Sequence, residues 1–263
     1  MTQIFLNALP VFLLIFCRVT AFFVISPIFS YKSVPTILKI GLGFFISFII
    51  FTVLGDNQPV VAIDLSYVIL ILREVLIGIM LGYIVVVFFS VMHTVGGVID
   101  LQIGFAMANV LDPQTGVTVS LTGNFKYMLL MLVFLMMNGH HFLLTGLMDS
   151  FVYMPLENDW FSRMGDGSIA QMLVEAFAHS MLLGIQIASP IMVALFVTDL
   201  GLGFLAKTAP QFNVFVIGFA IKIFVGLAML IVLLPGMGVV FEKLFSIMFE
   251  YMERFFSIVF NAT

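Results

Sequence analysis

The sequence predicts an all-α protein of the membrane class, built from polytopic apolar helical hairpins. Of its 263 residues, 62% are hydrophobic and only 9% are charged, whereas ordinary soluble domains are about 45–50% apolar and about 25% charged. The apolar residues are gathered into long segments that are separated by polar stretches containing Gly and Pro. Because a membrane-spanning helix needs about 20 mostly apolar residues, these segments are candidate spans.

Six segments are long and apolar enough to be candidate spans, at 4–29, 37–54, 65–92, 125–147, 169–198 and 214–240. The third contains Gly78 and Gly82 in a GxxxG step, which lets two helix backbones approach closely. Gly96 and Gly97 are expected to end that span, and Pro190 is expected to split the fifth. Pro210 is expected near the start of the last long helix, where its missing N–H costs least.

The last stretch, 241–260, predicts an amphipathic helix. Its polar residues recur at helical spacing and form one polar stripe, while the rest of its surface is Phe, Met, Leu and Ile. Glu250 and Arg254 are expected to form an i,i+4 pair. Such a helix suits packing on protein better than lying in the membrane interface, where the polar face is usually broad and basic.

Among the charged residues that lie within apolar segments are Arg18, Arg73, Glu74 and Lys222. An ionised group in the bilayer core costs about 2.5–3.5 kcal/mol, so these side chains are expected to face protein, water or a partner charge. Since adjacent helical residues do not face one another, Arg73 and Glu74 are expected to have separate partners, and Arg18 with Glu74 is one conceivable pair. The alternative is that Arg73 and Glu74 snorkel at the interface. Asp199 or a group on another chain is a candidate partner for Lys222.

A polar insert, DLQIGFAMANVLDPQTG at 100–116, separates two uncharged apolar blocks. Asp112 and Pro113, followed by Gly116, predict a turn. Ahead of the turn, Ile103, Phe105, Met107 and Leu111 form a short apolar face that has no partner within the insert. This face either packs into the protein core or occludes a passage, and the residues alone favour the core.

Several functional classes find no support in the sequence. The ten Lys and Arg residues are scattered, which predicts no nucleic-acid partner. No phosphate loop, HExxH or GxSxG motif is present, so no catalytic residue and no cofactor is predicted. His140 and His141 lack the spacing of metal ligands, and Asn138-Gly139 before them is expected to break a helix.

Two other functions stay open as alternatives. A solute transporter would rest on Glu175, His179 and Lys222 together with interrupted helices, but no inverted repeat is evident. An intramembrane enzyme would rest on His140, His141 and Asp199.

A series of short motifs resembles the FliR family of flagellar type III export-gate proteins over nearly the whole chain. In order, the motifs are Arg18 with Pro27; Val34-Pro35 and Lys39; Arg73-Glu74 with Gly78 and Gly82; Gly96-Gly97, Asp100, Gln102, Gly104-Phe105, Asp112-Pro113 and Gly116; Asn138-Gly139-His140; and Ala209-Pro210-Gln211, Asn213-Val214-Phe215, Gly218 and Lys222. PQxNVF at 210–215 is the best single marker. Injectisome proteins form part of the same broader family.

The resemblance implies a non-enzymatic subunit of a protein-export channel, with 1–263 as a single domain. It implies a FliP-like part fused to a FliQ-like hairpin, in a gate with FliP, FliQ, FlhB and FlhA homologues. Unfolded flagellar proteins would be the cargo, and the inner membrane with its lipid and the flagellar basal body would be the location. An equivalent injectisome subunit is the alternative.

The resemblance also implies roles for particular residues. The insert would be a pore plug formed by Ile103, Gly104, Phe105, Met107, Leu111, Asp112, Pro113 and Gly116, which reverses the preference for core packing. Arg18, Arg73, Glu74 and Lys222 would serve as buried charges in assembly. Gly78, Gly82, Pro210, Gln211 and Asn213 would serve helix packing.

Overall fold

The fold was analysed in a computed structural model that describes residues 2–31, 34–54, 64–105, 120–156, 167–211 and 213–261. About 90% of these residues are helical and none of them lies in a strand. The predicted all-α class is therefore confirmed. The insert beyond Phe105, up to residue 119, lies outside the described residues.

The helices follow one another in the order α1 Thr2–Ile25, α2 Thr36–Leu54, α3 Leu65–Ile103, α4 Leu121–Met136, α5 Gly139–Tyr153, α6 Ser168–Thr208, α7 Val214–Leu233, a 3₁₀ turn at Leu234–Gly236, and α8 Met237–Asn261. In this part of the chain, five helical segments are long and apolar enough to cross a membrane. The number rises to six if α4 and α5, bent by 71° at their junction, count as one broken span.

The break between α4 and α5 falls at Asn138, as the sequence predicted. Asn138 has a φ of 57°, a left-handed conformation that Asn tolerates better than most residues. The Met137 N–H still bonds to the carbonyl of Val133 at 3.0 Å. A single residue therefore redirects the chain without leaving that end of α4 uncapped.

Two predicted helix interruptions are wrong. α3 continues through Gly96 and Gly97 to Ile103, and α6 continues through Pro190 to Thr208. Pro190 has no N–H to give to the preceding turn, but the Ser189 hydroxyl donates to the carbonyl of Gln186 at 2.8 Å. A side-chain donor thus replaces the missing backbone donor, and the helix persists.

The described chain forms two compact units, each assembled from separate stretches. The first comprises Met1–Val87, Asn138–Phe177 and Ile247–Thr263. Within it α3 packs closely on α1, because a Cβ at Gly78 would overlap the carbonyl of Arg18 and one at Gly82 would lie 2.9 Å from Cβ of Ile25. The glycine step at 78–82 therefore makes the close helix contact that its pattern predicted.

The second unit comprises Phe88–Met137 and Ala178–Ser246. Its centre is a cluster of three rings in which Phe89 lies 5.3 Å from Phe134 and 5.9 Å from Phe245 between centroids. Edge-to-face contacts such as those of Phe134 stabilise aromatic pairs beyond their buried area. Gly96 contacts the backbone of Gly123 so tightly that any side chain there would overlap it.

The amphipathic character predicted for the tail is confirmed in α8. One face is buried, from Phe241 to Val259, and the polar stripe is exposed. The ion pair predicted within the tail is wrong, however, because Arg254 pairs with Glu175 at 2.8 Å. A carboxylate on the helix packed alongside therefore lies in a better position than Glu250, one turn away on the same helix.

Helices α2 and α7 leave most of their apolar surface uncovered. In α2 only Gly43, Ser47 and Ile50 are buried, and in α7 only Gly218, Gly226 and Leu230. Large rings such as Phe45, 66% exposed, and Phe224, 75% exposed, face outward. Surfaces of this size on a soluble monomer mark interaction sites or membrane contact.

Candidate functional site

A cluster of buried charges lies in the first unit, where α1 packs against α3. The Glu74 carboxylate accepts from Nε of Arg18 at 2.6 Å and from Nη2 of Arg73 at 2.7 Å. All three side chains are at most 2% exposed. One carboxylate therefore serves two guanidinium groups, and the cluster carries a net positive charge.

The C-terminal end of α5 compensates the remaining positive charge. Arg18 donates to the carbonyls of Ser150 at 2.8 Å and Met154 at 3.1 Å, and Arg73 donates to the carbonyl of Pro155 at 3.1 Å. Carbonyls at a helix C-terminus carry partial negative charge, and the Ser150 carbonyl also accepts from the N–H of Met154 at 3.0 Å. The Phe151 ring also lies 4.0 Å from Cζ of Arg18, within cation–π range. Every part of the Arg18 guanidinium is thus engaged.

This geometry decides between the sequence expectations for these residues. The ion pair between Arg18 and Glu74 is present, whereas separate partners for Arg73 and Glu74, and their exposure at the interface, are both wrong. Adjacent side chains leave a helix in different directions, but the long side chain of Arg73 bends back to the carboxylate of Glu74. Both side chains are buried, so neither can bind water instead. The cluster fastens α1, α3 and α5 to one another.

The second feature, in the second unit, is a polar clasp at the base of the insert, formed by Asp100, Ser120 and Thr122. Asp100, only 5% exposed, accepts from Oγ of Ser120 at 2.7 Å and from Oγ1 of Thr122 at 2.6 Å. The backbone N–H of Thr122 also donates to it at 3.2 Å. Ser120 meanwhile accepts from the N–H of Gly123 and so caps α4.

The clasp joins the two ends of the insert. Asp100 lies in the last turn of α3, and Ser120 is the first residue described after the insert. Charged acceptors make hydrogen bonds roughly twice as strong as neutral ones. The residues at the two ends of the insert are therefore held together by hydrogen bonds.

The structure places the predicted plug residues in two groups. Ile103 is fully buried at the end of α3, where Cβ of an alanine at Gly226 would meet its side chain at 2.6 Å. Gly104 has a φ of +101° and lies against the ring of Phe219, and Phe105 is half-buried. Met107, Leu111, Asp112, Pro113 and Gly116 lie outside the described residues.

The remaining predicted site residues lie at the hairpin of α6 and α7. Lys222 pairs with Asp199 at 2.5 Å, a partner that the sequence suggested. Asn213 caps α7 by accepting from the N–H of Val216 at 3.4 Å. Pro210 and Gln211 form a turn that is exposed in the described part of the chain.

Two of the charged residues named for the alternative functions have ion-pair partners in the described chain. Glu175 binds Arg254 and accepts from Gln171 at 2.9 Å, and Lys222 is held by Asp199. Among the residues that the structure describes, no group of three His, Cys, Asp or Glu is placed to hold a metal ion.

Sequence reasoning missed the clasp and one further buried charge, Lys126, which is 1% exposed. A signal for the clasp was present, because a Ser followed by an apolar helical run marks a helix N-cap. Lys126 gave no such signal. Its burial depends on packing that no local pattern shows.

Comparison with known proteins shows the family of the chain. A family model described as "Bacterial export proteins, family 1" matches residues 9–248. The flagellar biosynthetic protein FliR of Bacillus subtilis is 38% identical over 97% of both chains. FliR of Escherichia coli is 33% identical over 91% of this chain and 90% of its own.

A secretion protein of another kind is more distantly similar. The Yop proteins translocation protein T of Yersinia pestis is 27% identical over 78% of both chains. The flagellar relatives are thus matched over more of the chain and at higher identity. With its family match and two flagellar relatives above 30% identity, the chain belongs to the bacterial export proteins, family 1.

Proposed function

We propose that the chain is a non-enzymatic subunit of the flagellar type III export gate, and that its central insert plugs the passage. Family membership and the flagellar relatives support a membrane-embedded component of flagellar type III export. Its location would be the inner membrane at the flagellar basal body. The chain acts as one functional domain over 1–263, and it transports unfolded flagellar proteins together with its partners.

The exposed faces of α2 and α7 support a hetero-oligomeric role. These helices bury only a few small or aliphatic residues within the chain, and lipid or other subunits cover the rest. We assign the protein side of this contact to FliP, FliQ, FlhB and FlhA homologues. The exposed turn at Pro210 and Gln211 and the fully satisfied charge cluster of Arg18, Arg73 and Glu74 fit a rigid subunit in such an assembly.

The clasp is the observation that carries the plug proposal. Asp100 binds both Ser120 and Thr122, so the insert is tied at its base, and an apolar segment between fixed ends can close a narrow passage and return to the same position. Phe105, Met107 and Leu111 supply the apolar side chains. Apolar constrictions block ions by excluding water, and flexible Met side chains adapt to different contacts.

The roles within the plug set differ according to their place. Ile103 and Gly104 anchor the insert, because Ile103 is buried against Gly226 and Gly104 lies against Phe219. The residues from Phe105 onwards would seal the passage, and a turn at Asp112, Pro113 and Gly116 would reverse the direction of the chain. A deletion that begins at Ile103 would therefore damage the core as well as the plug.

The experiment replaces residues 106–119 with a Gly/Ser segment of equal length, which leaves Ile103 and the clasp in place. We expect membrane ion leak in cells that hold the assembled gate, with the variant present at the wild-type level. The matched control replaces 157–166, a polar stretch of the sequence outside the predicted plug, in the same way and should leave the membrane tight. A tight membrane with normal motility in the 106–119 variant would overturn the plug assignment.

An injectisome subunit is the second candidate, favoured by the similarity to the Yersinia protein. Flagellar use is better supported, because FliR of B. subtilis is matched over 97% of both chains. Motility of a strain that lacks the gene separates the two. A non-motile strain restored by the gene supports the flagellar function, and an unaffected flagellum contradicts it.

A further inference from the structure

Lys126 is a buried cation with no partner in the described part of the chain. Its side chain, on α4 in the second unit, is 1% exposed, and its Nζ makes no hydrogen bond there. A buried ammonium without a partner is strongly disfavoured, which is why buried charges in proteins are almost always paired. Among the described residues, the charge of Lys126 is therefore not compensated by a direct partner.

The carboxylate of Asp100, which acts on Lys126, is already occupied. Asp100 is close enough to act electrostatically on Lys126, but the two form no ion pair. Both oxygens of Asp100 accept from Ser120 and Thr122 in the clasp. Moving Asp100 to Lys126 would leave the Ser120 hydroxyl without its acceptor and the Thr122 hydroxyl with the carbonyl of Gly96, at 2.9 Å. The clasp and the lysine therefore cannot share Asp100 equally.

A cavity of about 150 Å³ adjoins Lys126. Apart from Lys126 and Gln186, its walls are mainly aliphatic, with Ile187 and Ile191 from α6 and Leu230 from α7. Gln186 is exposed, whereas Ile191 and Leu230 are buried, so the cavity runs inward from the surface. It combines an apolar wall with one cation and one amide donor.

We propose that this cavity receives the side chain of an Asp or Glu from a helix of a neighbouring subunit. The methylene stem of such a residue would pass the aliphatic wall, and its carboxylate would meet the ammonium of Lys126 and the amide of Gln186. Both groups supply donors, Lys three and Gln two, and the lysine stem is flexible enough to adjust to the acceptor. A lipid phosphate is the poorer fit, since its diester head would have to enter the aliphatic part of a small cavity.

The surroundings of the cavity suit a helical partner. Helix α7 exposes Phe224, Leu227 and Ile231, which recur at helical spacing and lie in the turns alongside Leu230. A neighbouring helix that covers this apolar row can bring an acidic side chain to the cavity. The inference rests on the proposed function, because that function supplies the neighbouring subunits.

The test uses tagged full-length chain in cells that express the complete export system. Lys126→Met removes the charge at similar length, and Lys243→Met, at an exposed position of α8, is the matched control. We expect the amount of Lys126→Met in membranes to equal that of the wild type. The amount that co-purifies with the other gate subunits should fall by a factor of roughly ten or more, because truncating a buried ion pair across an interface weakens association at least that much. Equal co-purification by both variants would overturn the inference.

A second variant keeps the test decisive if Lys126→Met fails to accumulate. Lys126→Glu should abolish motility, and suppressors should replace an Asp or Glu of another gate subunit with Lys, Arg or a neutral residue. Suppressors confined to Asp100, or restoration by a change in anionic lipid content alone, would contradict the proposal. Failure of the proposed function would look different, since the wild-type chain itself would then co-purify with no gate subunit.

Discussion

Replacing Glu74 with Gln tests whether one carboxylate holds the cluster of α1, α3 and α5 together. The substitution keeps the volume of the side chain and removes only its charge. Arg18 and Arg73, now 2.6 Å and 2.7 Å from carboxylate oxygens, would then be two buried cations beside each other with no anion. We therefore expect a large loss of stability without any loss of packing.

The magnitude follows from the burial of all three side chains. Removing one partner of a buried ion pair costs about 3–5 kcal/mol, because the other charge stays buried without compensation. Here two charges lose their partner, although carbonyls of Ser150, Met154 and Pro155 retain part of the compensation. An expected loss of about 3–5 kcal/mol corresponds to roughly 10²- to 5 × 10³-fold in the folded-to-unfolded ratio.

The assay is thermal unfolding of the purified chain, or of its complex, in one detergent. For a chain of this size a loss of this order lowers the midpoint by on the order of 10 °C. Glu253→Gln, an exposed carboxylate in the same unit, is the matched control and should shift the midpoint little. Equal midpoints for the two variants would refute the assigned role of Glu74.

Two further predictions concern the second unit. Gly96→Ala should destabilise the chain by about 1–3 kcal/mol, because its Cβ would overlap the backbone of Gly123. Gly97→Ala is the control: nothing lies within 4 Å of the new Cβ, so it should be neutral or stabilise the chain by about 0.5–1 kcal/mol. Equal shifts of the thermal midpoint in the two variants would contradict the close contact between Gly96 and Gly123. Asp100→Asn should lower the stability of the chain by about 1–3 kcal/mol, since Ser120 would lose the charged acceptor that fixes the base of the insert. The same variant should raise membrane ion leak at an unchanged protein level. A tight membrane in this variant would show that the clasp is not needed to seal the passage.

The sequence located the apolar helices well because their signal is local. Composition and length identify a membrane-class helix, and Asn138 marks a break by its own conformational tolerance. Glycine and proline proved ambiguous, since Gly96 interrupts no helix and instead allows contact with Gly123. Pro190 is tolerated because Ser189, the residue before it, supplies a hydrogen bond.

Electrostatic partners were harder to predict, since they depend on which helices become neighbours. Arg18 with Glu74 could be proposed because each needed a partner, but nothing in the sequence showed that Arg73 would share Glu74 or that Arg254 would choose Glu175. Lys126 carries no local sign of burial. These contacts follow from tertiary packing, which sets distances that local patterns leave open.

The length of α3 and α6 has a consequence for where lipid can touch the chain. With 39 and 41 residues and a rise of about 1.5 Å per residue, these helices extend about 58 and 61 Å. The hydrocarbon layer is about 30 Å thick, so a helix of this length would need a tilt of about 60° to stay inside it, well beyond the observed range of 0–40°. Hydrophobic mismatch on this scale is not absorbed by a thicker bilayer. At ordinary tilts a third to a half of each helix, roughly, therefore lies outside the hydrocarbon layer, where burial of its apolar side chains depends on contacts with protein.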